Sequence, residues 1–129
     1  MFGWLIKNKR RTVRIVIIWT VLILAACLIP GNEVPDVKVP LIDKYVHFII
    51  FAGFSFLWLC TVPSAPLRKS GSLAFISSLA LGYLVELLQG SGITTGRSYD
   101  LYDVVADAIG GLIGIILFYI VRKFHRRSR

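Results

Sequence analysis

Asp43 and His47 stand four apart, Glu86 and Gln89 three apart, and Asp103 and Asp107 four apart, each set in or beside a long apolar run. At those spacings both members of a pair share one face of a helix. Carboxyls beside an imidazole suit three chemistries: gripping a polar ligand, relaying a proton, or holding a hard divalent cation through oxygen. An ionisable side chain within a membrane span costs at least about 2.5 kcal/mol on insertion scales, so Glu86 and Asp107 should face inward and find partners. Arg97, which follows the glycine-rich segment Gly90 to Gly96, is the expected cation for Glu86, Asp103 or Asp107, or for an anionic group on a ligand. His47 alone fits a hydrogen bond to Asp43 or Asp103 as well as it fits a proton carrier or metal ligand.

The elements that must position these groups follow from composition. The chain has 129 residues, 56% apolar and only 17% charged, with net charge +8 and a mean hydropathy of +0.72. Soluble domains run at about 45–50% apolar and about 25% charged, so the expected solvent is lipid. Disordered, collagen-like and disulfide-stapled classes are excluded by the hydrophobicity, the lack of a Gly/Pro repeat and the two cysteines. Apolar stretches run over 13–29, 45–62, 73–89 and 103–121, and a spanning helix needs about 17–25 residues. The third is marginal in length unless Gln89 and the residues before Leu73 extend it. All five prolines fall between stretches, where they break no helical hydrogen bond. The expectation is one all-α domain over 1–129, a bundle of four transmembrane helices.

Charge sets its direction. Lys7, Lys9, Arg10, Arg11 and Arg14 precede the first stretch or open it, Arg68 and Lys69 lie between the second and third, and Arg122, Lys123, Arg126, Arg127 and Arg129 follow the fourth. Only Lys38, Lys44 and Arg97 fall on the other side, so both termini are expected in the cytoplasm of a multi-pass inner-membrane protein. The basic tails then read as topology signals facing anionic headgroups, not as nucleic-acid contacts. All seven acids (Glu33, Asp36, Asp43, Glu86, Asp100, Asp103 and Asp107) lie in or near the outer half, which positive-inside bias does not explain. Gly82 shares a face with Glu86 and Gln89, while Gly110 and Gly114 continue the face of Asp103 and Asp107. Such small-xxx-small spacing admits a neighbouring helix closely, so the polar face is also the packing face.

Enzyme signatures fail. His47 and His125 lack the Ser-Gly-His setting of a lipid phosphatase, and no Gly-x-Ser-x-Gly elbow, HExxH helix or P-loop occurs. The aspartates at 100, 103 and 107 lack the accompanying elements of headgroup transferases. Cys27 and Cys60 should lie at opposite depths, too far apart for a disulfide. Leu24 to Cys27 resemble a lipoprotein cleavage box, yet Leu28 and Ile29 continue the apolar run and favour an uncleaved helix. Tyr45, Tyr99 and Tyr102 are expected at the outer interface, Trp58 and Tyr119 at the inner one, with Phe2, Trp4, Leu5 and Ile6 as a short interfacial anchor.

The run Asp43, Lys44, His47, Phe48, then Glu86, Leu87, Gln89, Gly90, then Arg97, Asp103, Ala106, Asp107, Gly110 and Gly114 resembles the VanZ-like family of small bacterial membrane proteins. The likeness covers about Asp43 to Gly114 and leaves out the first helix and both tails. The family's founding member is associated with resistance to the lipoglycopeptide teicoplanin, so the resemblance implies an envelope role without naming a reaction. One departure stands out: the family pattern often has Asn where this chain has Asp107. The resulting expectation is an outward-facing acidic pocket in which Asp43, His47, Glu86, Gln89, Arg97, Asp103 and Asp107 bind a lipid headgroup, a lipid-linked cell-wall molecule or a lipoglycopeptide. Envelope sensitivity to glycopeptides would change as a result. No catalytic residue, cofactor or resident metal is assigned. A metal-dependent lipid phosphate hydrolase and a small proton-coupled transporter stay open as alternatives.

Overall fold

A computed structural model describes residues 1–33 and 41–128. Pro35, Asp36, Lys38, Pro40 and Arg129, which enter the charge and proline arguments, lie outside the described residues. Among the described residues the chain is all helical: α1 (Phe2–Lys7), α2 (Lys9–Cys27), a 3-10 turn (Gly31–Glu33), α3 (Ile42–Cys60), α4 (Leu67–Gly90) and α5 (Leu101–Arg127). Three of these, α3, α4 and α5, are long and apolar enough to cross a membrane. The third stretch, marginal by sequence, is lengthened by a turn and a half at its start, because Leu67 to Ser72 continue the helix behind Pro66. Its 24 residues span about 36 Å at 1.5 Å each. Over the first stretch, α2 begins earlier than expected and takes Lys9, Arg10, Arg11 and Arg14 into its opening turns.

Each boundary has a local cause. The Asn8 side chain accepts from Arg11 N–H (3.1 Å) and caps α2, which ends α1 at a sharp bend. Asp100 caps α5 by accepting from Tyr102 N–H (2.8 Å), and the basic last turn His125, Arg126 and Arg127 complements the dipole at its far end.

The N-terminal segment adds to the bundle. Helix α1 packs against the bundle: Leu5 is buried with Leu59, Cys60, Ala74 and Phe118. The Phe2 ring packs against Phe56, Phe118 and His125. Buried Thr12 ties the bend down by donating to the carbonyls of Leu5 and Asn8. Trp4 stays half exposed under the Arg11 guanidinium, whose carbon stands 3.6 Å from the ring centroid. A second apolar core joins Ile23 and Cys27 of α2 to Phe51, Phe54 and Val85.

Packing is closest where α5 crosses α3. A Cβ at Gly110 would fall on the backbone carbonyl of Phe48, and one at Gly114 on that of Ala52. The two glycines are therefore a groove cut for the α3 backbone, as the small-xxx-small spacing implies. On the other flank of α5, a Cβ at Gly82 of α4 would collide with the Asp107 carboxyl. Gly71 differs, since its Cβ would meet only Ile115 Cγ2 at an ordinary 3.5 Å. Alanine is intrinsically the better helix former by about 1 kcal/mol. Gly110→Ala and Gly114→Ala should nonetheless destabilise the bundle by about 1–3 kcal/mol through overpacking, while Gly71→Ala is neutral or mildly stabilising. Thermal unfolding of the three variants in one detergent checks this, and wild-type melting of Gly114→Ala would show that the helices do not approach so closely.

Candidate functional site at the acidic end

The glycine groove brings α5 so close to α3 and α4 that polar side chains from all three meet. Asp107 has no exposed surface, and His47 is 2% exposed. His47 Nδ1–H donates to Asp107 Oδ1 (3.0 Å), and on the other side of the ring Cys27 Sγ lies 4.0 Å from Nε2. A line of contacts thus runs from α2 through α3 to α5. Asp107 Oδ2 is buried without a hydrogen-bond partner among the described residues, directly beside the bare backbone of Gly82.

One turn nearer the helix ends, Lys44 Nζ bridges Asp100 Oδ2 (2.7 Å) and Asp103 Oδ1 (2.8 Å). Glu86, completely buried, accepts the Asp100 backbone N–H on Oε2 (2.8 Å), while its Oε1 has no partner among the described residues. Arg97 contacts Asp43 at 3.5 Å and donates from Nε to the Ile29 carbonyl (3.2 Å). That pair forms the rim, with side chains 17% and 46% exposed. Gln89 is buried and donates to the Cys27 carbonyl (2.6 Å), which fastens α4 to the end of α2. The Lys44 ammonium, helped by the Tyr102 N–H, holds the Asp100 carboxyl below the usual carboxylate range.

Several partners differ from expectation. Arg97 was the cation expected for Glu86, Asp103 or Asp107, but it pairs with Asp43, because the loop that carries it passes over the α2 end, where Gly31 N–H donates to the Thr95 carbonyl (2.9 Å). His47 hydrogen-bonds Asp107 and not Asp43 or Asp103, although a ring nitrogen stays near both. Gln89 spends its amide donor on the Cys27 carbonyl and not on open space. Lys44 and Cys27 are further partners in the cluster. Lys44 did leave a trace: a lysine in the first turn of a helix opposes the dipole and calls for a nearby carboxylate. Cys27 left none. Oxygens of Asp43 and Asp103 and a ring nitrogen of His47 lie within 4.8 Å of one another, close enough to hold a cation, although the Lys44 ammonium already serves Asp103 Oδ1. Both cysteines are free and buried.

The model of the VanZ/LLP1 family matches residues 4–122. The chain belongs to that family. The match takes in most of α1, all of α2 and most of α5, so the VanZ/LLP1 unit extends well beyond the stretch from Asp43 to Gly114 that carries the resemblance. No curated protein and no solved structure matches the chain. Three helices of spanning length and VanZ/LLP1 membership fit a multi-pass membrane protein.

Two predictions follow from these pairs. Removing one partner of a buried charged or hydrogen-bonded pair strands the other, at about 3–5 kcal/mol. His47→Ala and Asp107→Ala should each cost about that much, and the double variant less than the two together by more than about 1 kcal/mol. Additive losses in detergent unfolding would mean that the contact is not made. For Asp100, a depressed folded-state pKa gives a contribution present above the unfolded value and lost as pH falls through the folded one. In Lys44→Met the Asp100 carboxyl should titrate at higher pH than in the parent, as followed by carbon NMR of a labelled carboxyl.

Proposed function

We propose that this VanZ/LLP1 protein is a four-span inner-membrane protein with both termini in the cytoplasm, whose acidic outer end binds the polar part of an envelope component. Lipid headgroups and lipid-linked cell-wall precursors are the ligand classes, and binding alters envelope sensitivity to glycopeptides. In this reading α2 is the fourth span. Its opening cations Lys9, Arg10, Arg11 and Arg14 stay with those of the α3 to α4 turn and the C-terminal tail on the cytoplasmic side.

The observation that carries the reading is the pair of buried carboxylate oxygens, Glu86 Oε1 and Asp107 Oδ2, left without partners among the described residues. A network serving only helix register would satisfy its acceptors, because an unmet buried polar group costs about 1–3 kcal/mol. Acceptors held in reserve suit the hydroxyl and ammonium donors of a headgroup or a sugar-peptide precursor. Arg97, at the rim and in a long contact with Asp43, is placed to exchange that carboxylate for a ligand phosphate. Asp43, His47, Asp103 and Gln89 line or brace the recess.

A second reading has its own support. The Asp43, His47 and Asp103 cluster suits a divalent cation, which would activate water against a lipid phosphate held by Arg97. Metal-dependent phosphate release by the purified protein separates this hydrolase from the binding protein, and dependence on a pH gradient separates a transporter from both.

Glu86→Gln, Arg97→Ala and Asp107→Asn, expressed at matched membrane levels, should each weaken ligand binding about tenfold or more, the equivalent of one charge-assisted contact. Glycopeptide or envelope-stress protection should fall in parallel. Full protection in all three variants would leave the cluster with a structural role alone.

A further inference from the structure

The opposite end of the bundle carries a site of the reverse charge. Two cavities, of about 380 and 290 Å³, open beside the last turns of α5. Both are lined by Arg122 and Arg126, so the two guanidinium groups form their common wall. The larger cavity adds Lys123 and Tyr119, and the smaller has an apolar floor of Phe2, Ile6 and Pro63 from α1 and the α3 to α4 turn.

Three features make this more than a basic tail. Arg122 and Arg126 are four apart on one helix face, a like-charge spacing that destabilises a helix unless an anion joins it. Among the described residues the ion pairs lie at the acidic end of the bundle, and none involves these arginines. Arg122 is also positioned by its own bond from Nη1 to the Ala65 carbonyl (3.2 Å). Finally, His125 stands edge-on to Phe2, with ring centroids 5.3 Å apart, and its buried Nε2 has no partner among the described residues. Gly3 packs against the ring edge: a Cβ there would press on His125 Cε1 at 3.2 Å.

We infer that this cleft binds the phosphate of an anionic membrane lipid. Arg122 and Arg126 fork its oxygens, His125 packs beside them against Phe2, and the acyl chains run along the exposed apolar flank of Ile116, Tyr119 and Ile120. The site lies at the other end of the bundle from the acidic recess and does not depend on what that recess binds.

The test uses the full chain in a neutral detergent, with phosphatidylglycerol, phosphatidylcholine and inorganic phosphate as separate probes, read by native mass spectrometry and by melting temperature. Phosphatidylglycerol should bind and raise the melting temperature, and Arg126→Gln should weaken it about tenfold. Arg126→Lys, which keeps the charge and loses the fork, should fall in between. Arg14→Gln, an exposed cation away from the cleft, should stay within about twofold of the parent. Since Arg126 makes no hydrogen bond within the described residues, its variants should keep the parent melting temperature without lipid. Equal binding of phosphatidylcholine, or an equal loss in Arg14→Gln, would overturn the site in favour of a diffuse surface field. Inorganic phosphate binding as tightly as the lipid would overturn the lipid as its source.

Discussion

A carboxylate in the middle of an apolar helix has to be met by another side chain, and Asp107 can be met only because α3, α4 and α5 are cut away around it. Gly110 and Gly114 admit the α3 backbone, and that approach puts His47 within 3.0 Å of the carboxyl. Gly82 removes the side chain that would otherwise occupy the Asp107 position. A tighter α5 face would push α3 outward and leave Asp107 and His47 each alone in a low-dielectric interior, where an unpaired charge is strongly disfavoured. Steric permission and electrostatic need are therefore one constraint, and the depth of the acidic site is fixed by where the glycines fall.

The remaining charges arrange themselves around that pair in layers. Deepest are His47 and Asp107, with Cys27 behind the ring. Above them Lys44 ties α3 to both Asp100 and Asp103 at the start of α5, and Glu86 of α4 caps the same turn through the Asp100 N–H. At the rim Arg97 links the last loop to Asp43 and to the end of α2. Each layer joins different helices, so no helix can slide along its neighbour without breaking a layer. Helix α2 is held differently, by hydrogen bonds to backbone carbonyls: Trp19 Nε1 donates to Ile50 (2.9 Å), and Gln89 Nε2 donates to Cys27. Helix α2, with four cations of its own, is thus attached without ion pairs to the acids among the described residues.

Much of this was legible in the chain because it is governed by local spacing. The inward faces of α4 and α5 follow from Glu86 and Gln89, and from Asp103 and Asp107, at helical intervals with small residues on the same face; all four are buried together with Gly82, Gly110 and Gly114. What spacing cannot specify is which of several acids a given cation will meet. Lys44 and Arg97 are both within reach of the same end, and their division between Asp100 with Asp103 and Asp43 depends on how the loop after α4 drapes over α2, a contact made by backbone groups of Gly31 and Thr95. The fold of α1 was hidden for a similar reason. Phe2, Leu5 and Ile6 suit a lipid interface by composition, and their packing beside Phe118 and Leu59 depends on a hydrophobic gap that no local spacing announces.

The acidic end also holds an excess of one sign. Asp43, Glu86, Asp100, Asp103 and Asp107 converge there, while the fixed cations beside them are Lys44 and Arg97. Counting His47 as charged still leaves more carboxyls than cations. In an interior screened far less than bulk water, such an imbalance is relieved by bound protons or by an added group that brings positive charge or hydrogen-bond donors. The oxygens without partners, on Glu86 and Asp107, are where that relief is required. They belong to different helices and to neighbouring layers, so a donor or proton reaching one acts on a network that already connects α3, α4 and α5. Neutralising that excess and packing the three helices are for that reason parts of one problem, solved at the same oxygens.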